Sequence, residues 1–339
     1  INIVLNKIIC FGEIMLRLTP FMTQRLEQAK SFAIEYGGSE SNVAATLAQL
    51  GSKVHYVTRL PDQPFGHSAL GCLAQYGVDI SQSIFGGDRL GVYYVELGSG
   101  RRNSKVIYDR KNSGMHTLAP GMIPWEAIFQ EVDWFHWSGI TPSISSSAAA
   151  ATKEAILAAK KAGVTVSCDL NYRSKLWDYG SPPSLVMPAL IDLCEVVVGD
   201  EDVMGVYFGI KSSGREDAFE KLKNRFPNIK SIAFTEREGL SATHNTYQGF
   251  LFHDNIIVES KKYDMPDMID RIGSGDAFMA GLIFKLKALY QGECDNQEVI
   301  EFATATSVHK HYIPGDINII TLDDVMLMMK GGSGAKVRR

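Results

Sequence analysis

The residues best suited to chemistry lie in the stretch Asp270-Arg271-Ile272-Gly273-Ser274-Gly275-Asp276-Ala277-Phe278-Met279-Ala280-Gly281. Two glycines flank a serine and lead into an apolar run through Leu282, Ile283 and Phe284, a pattern that predicts a loop opening a buried helix. Successive glycines let backbone N–H groups converge, and a helix N-terminus adds partial positive charge, so the loop suits an anion such as phosphate. Asp276 is the odd residue. A carboxylate repels phosphate, yet the helix end is expected to keep it ionised. The combination makes sense if Asp276 takes a proton from a hydroxyl while the backbone of Gly273, Ser274 and Gly275 stabilises a phosphoryl group in transfer. The plain alternative is a tight connection in which Asp276 serves only the helix dipole.

A second glycine pair, Gly37-Gly38-Ser39-Glu40-Ser41-Asn42, precedes Val43, Ala44, Ala45, Leu47, Ala48 and Leu50 at helical spacing. Ser41 is the expected N-cap of a plain strand-to-helix turn. The alternative is close backbone approach to a polar ligand, with Asn42 offering both donor and acceptor. The strand Val164 to Asp169 ends in Asp169-Leu170-Asn171-Tyr172-Arg173, and the carboxyl end of an inner strand is where open α/β sheets bind ligands. Arg173 is there as an anion clamp or as a surface ion pair. Between Asp88 and Arg110, alternating residues around a Gly/Ser/Arg turn predict a hairpin that forms a small lid. Its Tyr93, Tyr94, Tyr108 and Arg110 face a ligand or simply cover the sheet.

These segments need a frame. Apolar runs at Lys7 to Gly12, Val54 to Thr58, Trp134 to Trp137, Glu195 to Val198 and Ser231 to Thr235 read as strands. Helical patterns fall at Gly66 to Tyr76, Ser145 to Ala162 and Asn296 to Lys310. A polar turn is expected at Thr235 to Gly239, with Ser241 to Thr243 and Gly249 to Phe252 as a hairpin. Strand-helix alternation predicts an α/β fold, a mostly parallel sheet with helices on both faces. One domain over residues 7–330 is expected, its β lid built from about 13–36 and 86–113.

Composition excludes little but consistently. The 339 residues are 45% apolar and 21% charged, with a formal net charge of −4. That balance points away from nucleic acid and from an anionic membrane surface. Five scattered cysteines without a C-x-x-C pair suggest buried thiols in a reducing cytosol, without disulfides or a zinc site. No apolar run approaches the ~20 residues of a membrane span. The N-terminal INIVLNK is too short for a signal sequence and looks trimmed, and residues 331–339 read as a flexible basic tail.

Taken together, the segments resemble the ribokinase-like (PfkB) carbohydrate kinases, in order from about Ile8 to Asp324. YGGSESNVAATLAQLG is similar to the family's N-terminal signature and DRIGSGDAFMAGLI to its C-terminal one. The closest likeness within the family is to 2-keto-3-deoxygluconate kinases, through GEIMLRL, Tyr108-x-Arg110, DLNYR, DRIGSGD and KHYIPGDIN. The resemblance implies a three-layer ribokinase-like fold and transfer of the γ-phosphoryl group of ATP, with Mg²⁺ bridging the phosphates. It makes Asp276 the base and Gly273, Ser274 and Gly275 the anion hole. Gly38 and Asn42 would bind sugar hydroxyls, Tyr93, Tyr108, Arg110 and Arg173 would surround the substrate and its carboxylate, and Asp316 would close the site. A neutral sugar needs no arginine, whereas a 2-keto acid does, and one arginine on the lid with one on the core would grip it as the lid shuts.

The pattern departs from the family in places. The Asn-x-x-Glu element that organises Mg²⁺ through water appears as Asp200-Glu201-Asp202-Val203, leaving Asp200 or Glu201 to that role. The Thr-x-Gly-x-x-Gly nucleotide turn appears as Thr235-Glu236-Arg237-Glu238-Gly239, with Arg237 in place of a glycine. Arg237 there reaches a phosphate or sits in solvent. Thr304 falls on the adenine side, with His309 nearby. The expected activity is phosphorylation of a small-molecule sugar acid, 2-keto-3-deoxygluconate, at its 6-hydroxyl in the cytoplasm. The rivals are the galactonate epimer, fructose, ribose or a nucleoside, and a sugar-binding protein that has lost catalysis. An exposed lid hairpin also predicts a homodimer, or a higher homo-oligomer, paired through the lid.

Overall fold

In the strand Lys7–Phe11, Ile9 and Phe11 enter one apolar core while Ile8 and Cys10 enter another. Burial on both sides is what a strand inside a parallel sheet requires. The same alternation recurs in Ser231–Gly239, where Ile232 and Phe234 face one way and Ala233 the other. The computed structural model describes residues 7–331. The expectations for the first six residues and for the tail beyond residue 331 lie outside the described residues.

The central sheet runs in the order Ile256–Glu259, Asn245–His253, Ser231–Gly239, Val196–Val198, Thr165–Asp169, Trp134–Ser138, Lys7–Phe11, Lys53–Val57. The strands from Ser231–Gly239 to Lys53–Val57 are parallel, and those at the other edge are antiparallel. Helices Ser39–Gln49, Pro64–Gln75, Ser274–Tyr290 and Asn296–Lys310 bury their apolar residues in the core on one face. Ser146–Lys161, Pro183–Ile191, Glu201–Phe208 and Arg215–Arg225 do so on the other. The result is the expected three-layer α/β fold. Among the described residues no helix is long and apolar enough to cross a membrane.

From Lys7–Phe11 the chain builds outward to Lys53–Val57, then crosses to Trp134–Ser138 on the other side of the first strand. Such a reversal of strand order opens a crevice at the carboxyl ends, the usual ligand site of an open α/β sheet. Over this crevice lies a second sheet, in the order Phe32–Gly37, Met15–Pro20, Val92–Glu96, Lys105–Asp109. Met15, Tyr93, Val106 and Tyr108 of this lid share a cavity with Asp169 and Asp276.

Two local expectations are corrected. Thr235 to Gly239 is no turn: Ser231–Gly239 is one long strand paired with Asn245–His253 from Ser231↔His253 to Gly239↔Asn245. The polar residues Glu236, Arg237 and Glu238 lie where this hairpin runs out past the core, so they carry no apolar signal. The expected N-cap Ser41 is instead inside its helix, which starts at Ser39 with Gly38 as N-cap. Ser41 Oγ donates back to the Gly38 carbonyl at 2.9 Å.

Candidate active site

The site helix Ser274–Tyr290 is entered through Gly273 at φ 80°, left-handed backbone that favours glycine. A Cβ at Gly273 would also collide with the Asp316 carbonyl. Past this turn the first-turn amides of Gly275 and Asp276 have no acceptor within the helix, and space beside Gly275 is open. The Ser274 amide instead donates to the Arg271 carbonyl at 3.3 Å.

Asp276 is the third helical residue and lines a cavity of about 590 Å³. Its Oδ2 accepts from Asn42 Nδ2 at 2.7 Å and its Oδ1 from Ser39 Oγ at 3.0 Å. Ser39 Oγ in turn accepts from Asn171 Nδ2 at 3.3 Å. The expectation that the helix end keeps Asp276 firmly ionised is corrected. Burial pushes its pKa up to about 7, with the carboxylates of Asp169 and Asp316 adding to the shift against the bonds from Asn42 and Ser39. A carboxylate near neutrality is matched to proton transfer at physiological pH. Asp169, at its strand's carboxyl end, is raised to about 6 by burial, with the Asp200 charge adding.

The same cavity is lined by Gly38, Asn42, Tyr93, Tyr108, Arg110, Arg173, Arg237, Gly273, Ser274, Gly275, Asp276 and Asp316. Gly38 must lack a side chain because its Cβ would strike the Glu13 carbonyl. Asp316 accepts from Tyr93 OH at 2.6 Å and from Arg17 at 2.5 Å. Arg17, buried under the lid, also pairs with Asp270 at 2.6 Å. Arg17 therefore clamps the lid sheet to the loop before the site helix and to the loop carrying Asp316. The carboxylates of Asp316 and Asp270 raise its pKa against the cost of burial.

The two arginines expected to grip a carboxylate differ in state. Arg110 is buried and donates through Nε at 2.8 Å and through a second nitrogen to Glu13, which also accepts from Ser113. Arg173 donates to the Tyr172 carbonyl at 3.4 Å, and among the described residues no carboxylate lies within ion-pair distance of it.

The nucleotide residues separate in the same way. Arg237 lines the cavity, while Thr235 and Gly239 stay along the hairpin outside it. Thr304 is corrected: it is fully buried, and its Oγ1 packs where a Cβ on Gly249 would be, at the helix-sheet contact. Asp200 caps the helix Glu201–Phe208 by accepting from the Val203 amide at 2.9 Å, and Glu201 accepts from Ser212 Oγ at 3.3 Å. Among the described residues no group of three or more His, Cys, Asp or Glu is arranged to hold a metal ion. Asp200 stands near enough to Asp169 for its charge to raise the Asp169 pKa.

Ser39 and Asn171 were missed as single residues, although both sit inside the motifs YGGSESN and DLNYR. Glu13, Arg17 and Asp270 were missed because their partners are remote in sequence.

The profile of the pfkB family carbohydrate kinases matches residues 5–310. The chain belongs to this family. A 2-dehydro-3-deoxygalactonokinase of Haloferax volcanii is 31% identical over 96% of this chain and 97% of its own length. Among solved structures, a 2-dehydro-3-deoxygluconokinase of Thermotoga maritima superposes with a TM-score of 0.90 at 37% identity, covering 96% of this chain and 99% of that one. A putative 2-keto-3-deoxygluconate kinase of Enterococcus faecalis superposes at 0.87 with 27% identity, covering 98% and 99%. As a pfkB-family member the chain is a carbohydrate kinase acting on a small-molecule sugar, and the family implies ATP as donor.

Proposed function

We propose that the protein phosphorylates 2-keto-3-deoxygluconate at its 6-hydroxyl with ATP. The observation carrying this reading is Asp276, set on the cavity wall with a pKa of about 7, beside the open amides of its own helix. In the proposed reaction the hydroxyl oxygen attacks the γ-phosphorus, its proton passes to Asp276, and the bond to the β–γ bridging oxygen breaks as ADP departs with the electron pair. The amides of Gly273 and Gly275 would take up charge on the phosphoryl oxygens, joined by that of Ser274 once it gives up its 3.3 Å bond to the Arg271 carbonyl. Asn42 and Ser39 would hold the carboxylate in line, and Gly38 and Asn42 would contact sugar hydroxyls. Mg²⁺ bound with the nucleotide would neutralise phosphate charge, its waters held by Asp169, Asp200 or Glu201.

Specificity for an acid rests mainly on Arg173, which has no carboxylate within ion-pair distance among the described residues although its charge reaches Asp169, with Arg110 contributing the guanidinium edge that Glu13 leaves free. Tyr108, stacked on Tyr93 at 6.0 Å, would shut against the substrate. The galactonate epimer is a second reading, favoured by the name of the 31%-identical relative. Exposed Phe32, Ile34 and Ile107 form an apolar outer lid face, which supports a homodimer through the lid. Free cysteines fit a reducing cytoplasm.

The test separates base from carboxylate grip. Asp276→Asn is expected to lower kcat by about 10²- to 10⁴-fold while sugar affinity is nearly kept. Arg173→Met is expected to raise KM for the keto acid but leave slow turnover of fructose unchanged. Equal effects on both sugars would contradict the carboxylate assignment.

A further inference from the structure

Arg237 and Arg271 both line the cavity beside Gly273 and Ser274, and neither has a carboxylate within ion-pair distance among the described residues. Two like charges left without counter-ions next to a cradle of amides suit a polyanion. Arg237 occupies the position where the resemblance places a glycine. It is also held in place. One Nη2 donates to Ser274 Oγ at 2.9 Å and contacts His311 Nε2 at 3.0 Å. Its guanidinium carbon lies 5.5 Å from the centre of the Tyr247 ring.

The His311 contact has one consistent proton arrangement. His311 Nδ1 lies 2.9 Å from the Ser307 carbonyl, which only accepts, so Nδ1 carries the proton. Burial, and then the Arg237 charge, lower the His311 pKa to about 3, so the ring is neutral and Nε2 presents a lone pair to Arg237. His311 is fully buried, and its carbonyl accepts from the amides of Ile269 at 2.8 Å and Asp270 at 3.2 Å. The ring that aims Arg237 is thus fastened to the loop that leads into the anion hole.

We propose that Arg237 contacts the phosphoryl group in transfer, and that His311 is the positioning residue that directs the guanidinium there. The charge a glycine-based turn would lack is supplied in cis from the end of a strand. This rests on the kinase reading above, and it adds a side chain that the backbone cradle does not need.

Steady-state kinetics of the full chain, with ATP and the sugar varied separately, test it. Arg237→Met is expected to lose about 10²- to 10³-fold in kcat, with KM for the sugar unchanged. Arg237→Lys should recover part of the loss. His311→Leu should lower kcat, or raise KM for ATP, on the order of tenfold through misplacement of Arg237, and His311→Gln, whose amide oxygen accepts from the guanidinium, should reverse most of the effect. Binding of inorganic tripolyphosphate, followed by calorimetry, should weaken in Arg237→Met, which keeps the question answerable if His311 variants fold poorly. Active wild type with unchanged kcat and tripolyphosphate affinity in Arg237→Met overturns the inference alone, whereas a wild type without phosphotransfer overturns the kinase reading beneath it. Equal losses in His311→Gln and His311→Leu, with Arg237→Met impaired, would leave Arg237 its role and remove that of His311.

Discussion

Replacing Asp276 with Asn should make the protein more stable at alkaline pH while it loses activity. The native pKa of about 7 stands above the ordinary value of 3.8, so between those limits the native state binds more protons than the unfolded chain. Stability attributable to this group therefore falls as pH rises from about 4 to about 7, and the full penalty is present above pH 7. A shift of roughly three units corresponds to a ceiling of ~4 kcal/mol. Asp276 faces a cavity open to water, and screening there brings the expected penalty to about 2 kcal/mol. For a chain of this size that is about 3 °C in Tm. Asn keeps the shape, can accept from Asn42 and can donate to Ser39, and does not titrate. Scanning calorimetry from pH 4 to pH 8 should show the two melting temperatures nearly equal at the acid end, with the variant rising above wild type toward pH 8. A gap that stays constant with pH, or a variant less stable at pH 8, would refute the assignment of a strained carboxylate.

Other substitutions probe the supports of the site. Gly273→Ala combines left-handed backbone with a collision against the Asp316 carbonyl, and should cost more than about 1 kcal/mol in urea unfolding and most of the activity. Glu40 is fully buried, accepts from Ser138 and Thr141, and is raised to about 7 chiefly by burial. Its contribution likewise declines as pH rises through 5 to 7, so Glu40→Gln should flatten the fall of Tm over that interval. Ile34→Asp, on the exposed outer face of the lid, should shift sedimentation from dimer to monomer without unfolding the chain, and a wild type that is monomeric at micromolar concentration would contradict the lid interface.

The frame and the centre of the site were readable because both are local. Glycine pairs before helices mark Gly38 and Gly273, and two-sided apolar alternation marks the inner strands. What escaped was long-range pairing of charge. Arg17 sits alone among alternating lid residues, and its partners Asp270 and Asp316 lie 253 and 299 positions away. Arg110 reads as free until its partner Glu13, 97 positions distant, comes beneath it. Thr304 was placed on the adenine side by the family resemblance, which does not tell which face of its helix meets the sheet, and Gly249, which lets that face approach, lies on a strand more than fifty positions earlier. The pKa of Asp276 was misjudged for the same reason: the helix dipole is local, whereas the burial and the carboxylates that oppose it come from the assembled fold.

The central claim is that the acid hydroxyl is deprotonated by Asp276 as phosphorus arrives. Phosphorus NMR of reactions with purified protein, ATP, Mg²⁺ and a panel of 2-keto-3-deoxygluconate, its galactonate epimer, fructose and ribose tests it most directly. The account predicts a phosphomonoester on C6 of the keto acid, formed faster than any product from the neutral sugars and nearly absent with Asp276→Asn. Preferred phosphorylation of fructose or ribose, or product formed at the wild-type rate by Asp276→Asn, would contradict it.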